Sequence, residues 1–362
     1  MATLNHEIYC RRKALLHLSG VLAAIAVVAL CHSTGCHRPA APQSGPQPPA
    51  AGDRSAGAAA VRVRLQLNWF PEVEHGGYYT AVLEGFFAKE GLDVQILPGS
   101  ANTPVPQLVD SGRVELGVTN ADQILLAADA GARLVALFAA LQSSPRCVLV
   151  HQESPIHSWE DFRNVTLAVS SSATFLKYLT SRLPLENVQI VAYSGNVAAF
   201  VANPHYAQQG YVFSEPFLAE KMGARPRILM VSDLGYDPYT SVLVAQESWL
   251  SEHPQLAERL VRACRRGWQE YLNNPQPTNR YILSVNPELP ADVAQYGASA
   301  IRPLCLPEGL GADQLGTMTR ARWEKLAQQM KEIGLLKNVD IQRVAWPPAL
   351  RPDSPAGSAS AD

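Results

Sequence analysis

Charge is scarce in this sequence, and what there is nearly cancels. Charged residues make up 17% of 362 residues, with 30 Lys and Arg against 32 Asp and Glu, for a formal charge of −2. Without a basic excess the chain has little to neutralise a phosphate backbone, so no nucleic-acid partner is expected. Long apolar runs are also lacking: Ala14 to Leu30, interrupted by His17, Ser19 and Gly20, falls short of the roughly 20 residues of a spanning helix. Cysteine is sparse. Cys10, Cys31 and Cys36 lie near the N-terminus, which leaves Cys147, Cys264 and Cys305 at spacings too wide for a metal knuckle or redox pair. They read as buried small apolar residues, with at most one disulfide among them. There is no Gly-x-x-x-x-Gly-Lys-Ser/Thr loop, no Gly-x-Ser-x-Gly elbow, no His-Glu-x-x-His and no clean Gly-x-Gly-x-x-Gly after a strand. His151 and His157 are poorly spaced for two ligands on one helix face, so neither a metal nor a cofactor is expected. What remains is 47% hydrophobic residues, enough for a sizeable core. At roughly 100 to 200 residues per domain, the length suggests about two domains.

The N-terminus has the layout of an export signal: Arg11, Arg12 and Lys13, the apolar run, then Ser33-Thr34-Gly35-Cys36. Residues 1–36 are expected to be a signal peptide with lipoprotein-like cleavage at Cys36, whose thiol would take the lipid. Ser33 stands where Leu is usual, and an uncleaved anchor stays open. Arg11-Arg12 also resembles a twin-arginine signal, and an ordinary Sec signal fits equally. Residues 37–61, holding Pro39, Pro42, Pro46, Pro48 and Pro49 among Ala, Gly and Ser, read as a tether. Residues 345–362 read as a flexible tail.

The body alternates strand and helix patterns. Val61, Val63, Leu65, Leu67 and Trp69 alternate with polar residues as in a half-buried strand ending at Pro71. A helix from about Gly77 to Lys89 follows, then strand 93–97, a helix near 105–111, strand 114–118, helix 123–130 and strand 134–140. The alternation restarts after Pro145, with strands at 146–151, 166–170, 188–193, 211–214, 228–231 and 240–245, and a helix at 174–183. Such alternation predicts parallel, helix-covered sheets. The last third is helical. Leu256, Leu260, Cys264 and Trp268 share one face opposite Glu258, Arg262, Arg265 and Arg266, and a later helix spans about Gln314 to Ile333. The arginines read as a solvated helix face.

The most informative stretch is Leu67-Asn68-Trp69-Phe70-Pro71-Glu72 with His75-Gly76-Gly77-Tyr78-Tyr79, just past the carboxyl end of the first strand, where open α/β sheets bind ligands. Core and helix-entry roles remain open for Trp69 and His75. With Glu84-Gly85-Phe86-Phe87, Ser111 to Val118, Asn120-Ala121-Asp122, Tyr211 to Pro216 and Gly235 to Thr240, the chain resembles the periplasmic solute-binding proteins of ABC importers. The likeness is to the nitrate/sulfonate/taurine receptor superfamily and its thiamine-pyrimidine-precursor branch, over about residues 62 to 335. It implies a two-lobed periplasmic binding protein fold (type II), α/β, with two helix-covered sheets joined by two crossovers near Cys147 and Tyr239. Lobe one would comprise 62–147 plus 240–340, and lobe two 148–239.

In that branch an aromatic after the first strand stacks on the ring while a Tyr and a Glu four apart contact its polar edge, roles that Trp69, Tyr211 and Glu215 match. The resemblance then implies a ligand set of Asn68, Trp69, Phe70, Glu72, His75, Tyr78, Asn120, Ser171, Thr174, Tyr211 and Glu215. The implied function is capture of a small heteroaromatic nitrogenous solute by an exported, lipid-anchored monomer that delivers it to an ABC permease on the periplasmic side of a bacterial membrane. A sulfonate or nitrate receptor is the alternative, since Ser170, Ser171, Ser172 and Thr174 ahead of a helix offer donors to an anion, although capping that helix is their plainer use. Fungal relatives of the branch include a pyrimidine synthase that depends on a cysteine-rich motif, a lysine and a histidine near His75. Only the histidine is present here, so no enzyme is expected.

Overall fold

The computed structural model describes residues 60–170 and 173–345. The signal, residues 37–59 of the expected tether, residues 346–362 of the expected tail and Ser171 with Ser172 lie outside the described residues, whereas Val61 opens the first strand and Ala345 bridges Ala136 in place of the tether and tail expected there.

Ten strands are found among the described residues: β1 Val61–Gln66, β2 Leu92–Leu97, β3 Leu116–Thr119, β4 Leu134–Leu141, β5 Arg146–His151, β6 Thr166–Val169, β7 Gln189–Ala192, β8 Tyr206–Tyr211, β9 Pro226–Met230 and β10 Thr240–Gln246. They form two five-stranded sheets, ordered β2-β1-β3-β10-β4 and β7-β6-β8-β5-β9. Within each sheet the first three strands run parallel, because helices return the chain along the sheet face. The fourth runs antiparallel to both neighbours: β10 against β3 and β4, and β5 against β8 and β9.

The two sheets therefore share one plan, and each receives its antiparallel strand from the chain arriving out of the other. β4 passes to β5 through residues 142–145, and the 3-10 turn after β9 passes to β10 through residues 235–239. These are the two crossovers of a two-lobed fold. The outer edge of β4 is not bare, since Ala136 bridges Ala345 and Ala139 bridges Gly316.

Three element boundaries differ from the sequence expectation, each for a local reason. The stretch 77–89 is two helices, Gly76–Leu83 and Phe86–Lys89, because Gly85 turns through φ 67° between them. The strand expected at 211–214 is instead β8, ending at Tyr211. Residues 212–214 turn into the helix Glu215–Lys221, where Pro216 occupies a first-turn position that needs no N–H. The helix expected from Gln314 starts at Arg320, where the hydroxyl of Thr319 accepts the Arg322 N–H.

The helix Leu256–Asn273 buries Leu256, Leu260, Cys264 and Trp268 as its spacing predicts. Its polar face is put to use: Arg262 pairs with Glu90 at 2.8 Å and Arg266 sits 4.6 Å over the Phe86 ring. This helix lies so close to Gly76–Leu83 that a Cβ on Gly267 would stand 2.3 Å from the Gly77 carbonyl oxygen and 2.7 Å from the Ala81 Cβ. The two backbones meet across glycine. Cys147, Cys264 and Cys305 are all free and buried.

Replacing Gly267 with Ala should destabilise the protein by about 1–3 kcal/mol through overpacking, outweighing a helix-propensity gain of about 1 kcal/mol. Thermal unfolding is the check, and a raised Tm would contradict so close an approach.

Candidate ligand-binding site

The site begins where β1 stops. Past Gln66 the chain leaves the sheet and Asn68 to Glu72 lead into the 3-10 turn Val73–His75. Asn68, Trp69, Glu72 and Glu74 line a cleft, whereas Val73 and His75 are buried behind it. The His75 ring fixes the front row. Its Nδ1 accepts the Glu72 backbone N–H at 3.4 Å, so in the neutral ring Nε2 carries the proton and donates to Asn68 Oδ1 at 2.9 Å. That leaves Asn68 Nδ2 to donate to Glu74 Oε1 at 2.8 Å. Glu74 Oε1 also lies 3.1 Å from His75 Nε2, while its Oε2 is buried without a partner.

Behind this row stands Ser241 on β10, a buried residue with φ 52°, a left-handed conformation uncommon for any residue but glycine. The twist gives each of its polar groups a partner. Its hydroxyl donates to the Glu74 carbonyl at 2.8 Å, its carbonyl accepts the Tyr78 hydroxyl at 2.7 Å, and its N–H reaches Asn120 Oδ1 at 3.4 Å.

The second lobe supplies the opposite wall. Tyr211 ends β8, and Glu215 opens the following helix, so its carboxylate folds back: Oε2 accepts the Tyr211 N–H at 2.7 Å and Oε1 accepts the Tyr193 hydroxyl at 3.0 Å. Arg146, the first residue of β5, lies between two rings, 5.0 Å from the centre of Phe175 and 5.4 Å from that of Tyr211. Asn120 Nδ2 of the first lobe donates across to the Tyr211 hydroxyl at 3.2 Å. The walls enclose a cavity of about 380 Å³ lined by residues of both lobes.

Burial governs the electrostatics. Glu72 is held well above the usual carboxyl range by desolvation and then by the charges of Glu74 and Glu215. Glu215 is raised by desolvation, against which the bonds from Tyr211 and Tyr193 pull. Desolvation pushes the Tyr211 hydroxyl up to about 12 although Arg146 draws it down. Burial works against the Arg146 charge, yet Tyr211, Asp122, Tyr236 and Glu74 hold its pKa above the ordinary value.

Of the residues anticipated from sequence, Asn68, Trp69, Glu72, Asn120, Tyr211 and Glu215 are brought together around the cavity. Phe70 sits outside the lining, 47% exposed and edge-on to Trp69 at 5.6 Å. His75 and Tyr78 are fully buried and hold Asn68, Glu72 and Ser241, because the tight turn and the helix after it carry them into lobe one. Thr174 is also buried. Its hydroxyl bonds to the Asp122 carboxylate and accepts the Tyr236 hydroxyl at 3.0 Å, so it lies behind the wall. Ser171 and Cys36 lie outside the described residues. The sequence reading missed Glu74, Gln123, Arg146, Tyr193 and Gln209, all in the lining. Glu74 alone had a local signal, the alternation Glu72-Val73-Glu74 that puts both carboxylates on one side. Among the described residues no group of three or more His, Cys, Asp or Glu is arranged to hold a metal.

Comparison with known proteins places this geometry among relatives. The riboflavin-binding protein RibY of Chloroflexus aurantiacus is 24% identical over 90% of this chain and 94% of its own length. The formylaminopyrimidine-binding protein of Halalkalibacterium halodurans is 24% identical over 61% of this chain and 70% of its own. Further relatives, fungal and bacterial, are named 4-amino-5-hydroxymethyl-2-methylpyrimidine phosphate synthase, including one at 24% identity from Uromyces fabae and one at 21% from Legionella pneumophila. In fold, the periplasmic aliphatic sulphonate binding protein SsuA of Escherichia coli superposes with a TM-score of 0.61 at 16% identity, covering 84% of this chain and 98% of that one. The NMT1/THI5-like family itself matches residues 72–278, more than half of the sequence, and the chain belongs to that family.

Proposed function

We propose that the chain is the extracytoplasmic solute-binding component of an ABC importer, and that it captures a small heteroaromatic nitrogenous solute between its lobes. The observation that carries this reading is the convergence of aromatic faces and carboxylates from both lobes on one cavity: Trp69, Glu72 and Glu74 from the first, Tyr193, Tyr211 and Glu215 from the second. A flat ring gains from stacking on indole and phenol faces. The carboxylates accept its N–H groups. Relatives named for riboflavin and formylaminopyrimidine binding fit a ligand of this kind.

A binding role is supported over the synthase role of other relatives by two features. His75 is sealed behind Asn68 and Glu74, and the three cysteines are free and wholly buried. The sulfonate or nitrate reading meets three carboxylates against one guanidinium in the lining, and Thr174 is already engaged by Asp122 and Tyr236. Ligand binding would select the closed arrangement of the lobes by its higher affinity for it, and that arrangement is what a permease would recognise. No helix among the described residues is long and apolar enough to cross a membrane. Attachment would be at the N-terminus, with Cys36 as the lipid acceptor and the Pro- and Ala-rich residues ahead of β1 as the tether of a monomer.

Trp69→Ala should weaken binding of the natural solute by about 0.5–1.5 kcal/mol beyond the lost burial. Glu215→Gln should cost about 1–3 kcal/mol where it leaves a buried donor unpaired. The solute is identified by mass spectrometry of what co-purifies, and both variants are then measured by calorimetry; unchanged affinity in both would misplace the site. Cys36→Ser should release the protein from the membrane fraction or leave it unprocessed, and unaltered fractionation and size would remove the lipid from the account. The cleft also has a pH signature. Because Glu72 titrates higher in the folded chain than unfolded, stability declines as pH rises from the unfolded carboxyl value of about 4.3 through the folded one. Glu72→Gln should therefore gain on the native protein in thermal unfolding as pH rises above the unfolded carboxyl value. A gap that stays constant as pH rises would contradict the raised Glu72 carboxyl.

A further inference from the structure

Behind the cavity, and outside its lining, the lobes meet a second time. Asp122 sits in the first turn of the helix Ala121–Asp129 of the first lobe, Thr174 opens the helix Thr174–Arg182 of the second, and Tyr236 lies in the crossover 235–239. At 0%, 4% and 0% exposed, the three are closed off from water. Asp122 Oδ1 accepts the Gln123 N–H of its own helix at 2.9 Å, which leaves Oδ2 for the other lobe. There the Thr174 hydroxyl donates to it, and the Tyr236 hydroxyl donates to Thr174 Oγ1 at 3.0 Å with Asp122 Oδ2 3.4 Å away. Each hydroxyl has one proton to give, so the chain runs in one direction, from Tyr236 to Thr174 to Asp122, and each link strengthens the next. Tyr236 is itself held. Its ring packs on Tyr178 with centres 4.9 Å apart, and the carbonyl of Gly235, which turns at φ 89°, accepts Gln329 Nε2 at 2.8 Å.

We infer that Asp122, Thr174 and Tyr236 form a latch that favours the closed arrangement of the lobes without touching the solute. The inference goes beyond the solute-site reading and needs only two lobes that part and close. A hydroxyl on one lobe and a carboxylate on the other hold each other only while the lobes are together. The Asn120–Tyr211 bond also crosses between lobes, but both its residues line the cavity and so feel the solute as well. The latch residues lie behind that wall and are positioning residues. Parting the lobes exchanges a buried hydroxyl–carboxylate bond for hydration of its two ends, so its net effect is that of one hydrogen bond, about two- to tenfold in the ratio of closed to open molecules. Apparent affinity scales with the closed fraction, whatever the solute.

Spin labels on Gln95→Cys and Ile190→Cys read the opening. Both side chains are exposed, and β2 and β7, which carry them, are the sheet edges opposite β4 and β9, from which the crossovers leave. Pulsed dipolar spectroscopy of the mature protein without added solute gives the short- and long-distance populations. Thr174→Val should raise the long-distance population relative to the short by about two- to tenfold, Tyr236→Phe should act in the same direction, and Thr174→Ser, which keeps the hydroxyl, should restore the native ratio. A distribution unchanged in both Thr174→Val and Tyr236→Phe would overturn the latch, even where Tm falls. Riboflavin and 4-amino-5-hydroxymethyl-2-methylpyrimidine are then titrated by calorimetry, and in Thr174→Val their affinity should fall by no more than the distance ratio does. A larger loss would mean that Thr174 bears on the solute directly, which also overturns the latch. Binding of neither probe, with the distances shifted, would overturn the solute-class reading and leave the latch in place.

Discussion

Neither sheet can be finished from its own stretch of chain. β10 pairs with β3 on one side and β4 on the other, so without it β4 has no ladder to join, and β5 stands in the same place between β8 and β9. Both strands arrive across the crossovers. Completing one lobe therefore fixes the position of the other, and the loop-closure entropy for these long-range pairings is met once for two sheets. The loops beyond the carboxyl ends of the parallel strands are then turned toward a common cleft, the edge at which such sheets place ligands.

Inside the cleft, stability and function pull in opposite directions. Three carboxylates gathered in a desolvated space oppose folding, since each loses hydration and repels the others. The surrounding bonds soften this: Tyr193 and Tyr211 donate to Glu215, Asn68 donates to Glu74, and the Ser241 hydroxyl fixes the Glu74 backbone. A left-handed Ser241 is a strain borne by the sheet to hold the turn in place. Sites of this kind are where a fold departs from its own optimum.

The sequence disclosed the scaffold through its periodicities. Strand Arg146–His151, the run Leu134–Leu141 and the buried stripe of Leu256–Asn273 were all legible because strand and helix periods act over a few neighbours. Trp69, Tyr211 and Glu215 were legible through motif resemblance. Arg146, Tyr193 and Gln209 were not, because they meet the first lobe only after two sheets have formed, and nothing beside them in the chain records that meeting. His75, Tyr78 and Thr174 show the converse. Chemically apt residues within a recognised segment were turned inward by a tight turn and by helices, whose phase relative to the cleft depends on packing.

The short segment after Tyr211 sets how the molecule can flex. Phe213, 1% exposed, belongs to the hydrophobic core of the first lobe although the chain around it belongs to the second. Nearby, Tyr296 donates to the Val212 carbonyl at 3.3 Å and stacks on Phe217 at 4.7 Å, and Lys221 pairs with Asp292 at 2.6 Å. Withdrawing a buried phenylalanine alone costs about 1.5–3 kcal/mol. The two lobes are thus pinned here, close to Glu215, and elsewhere Thr174 and Tyr236 of the second lobe meet Asp122 of the first, so opening the cleft gives up contacts in more than one place.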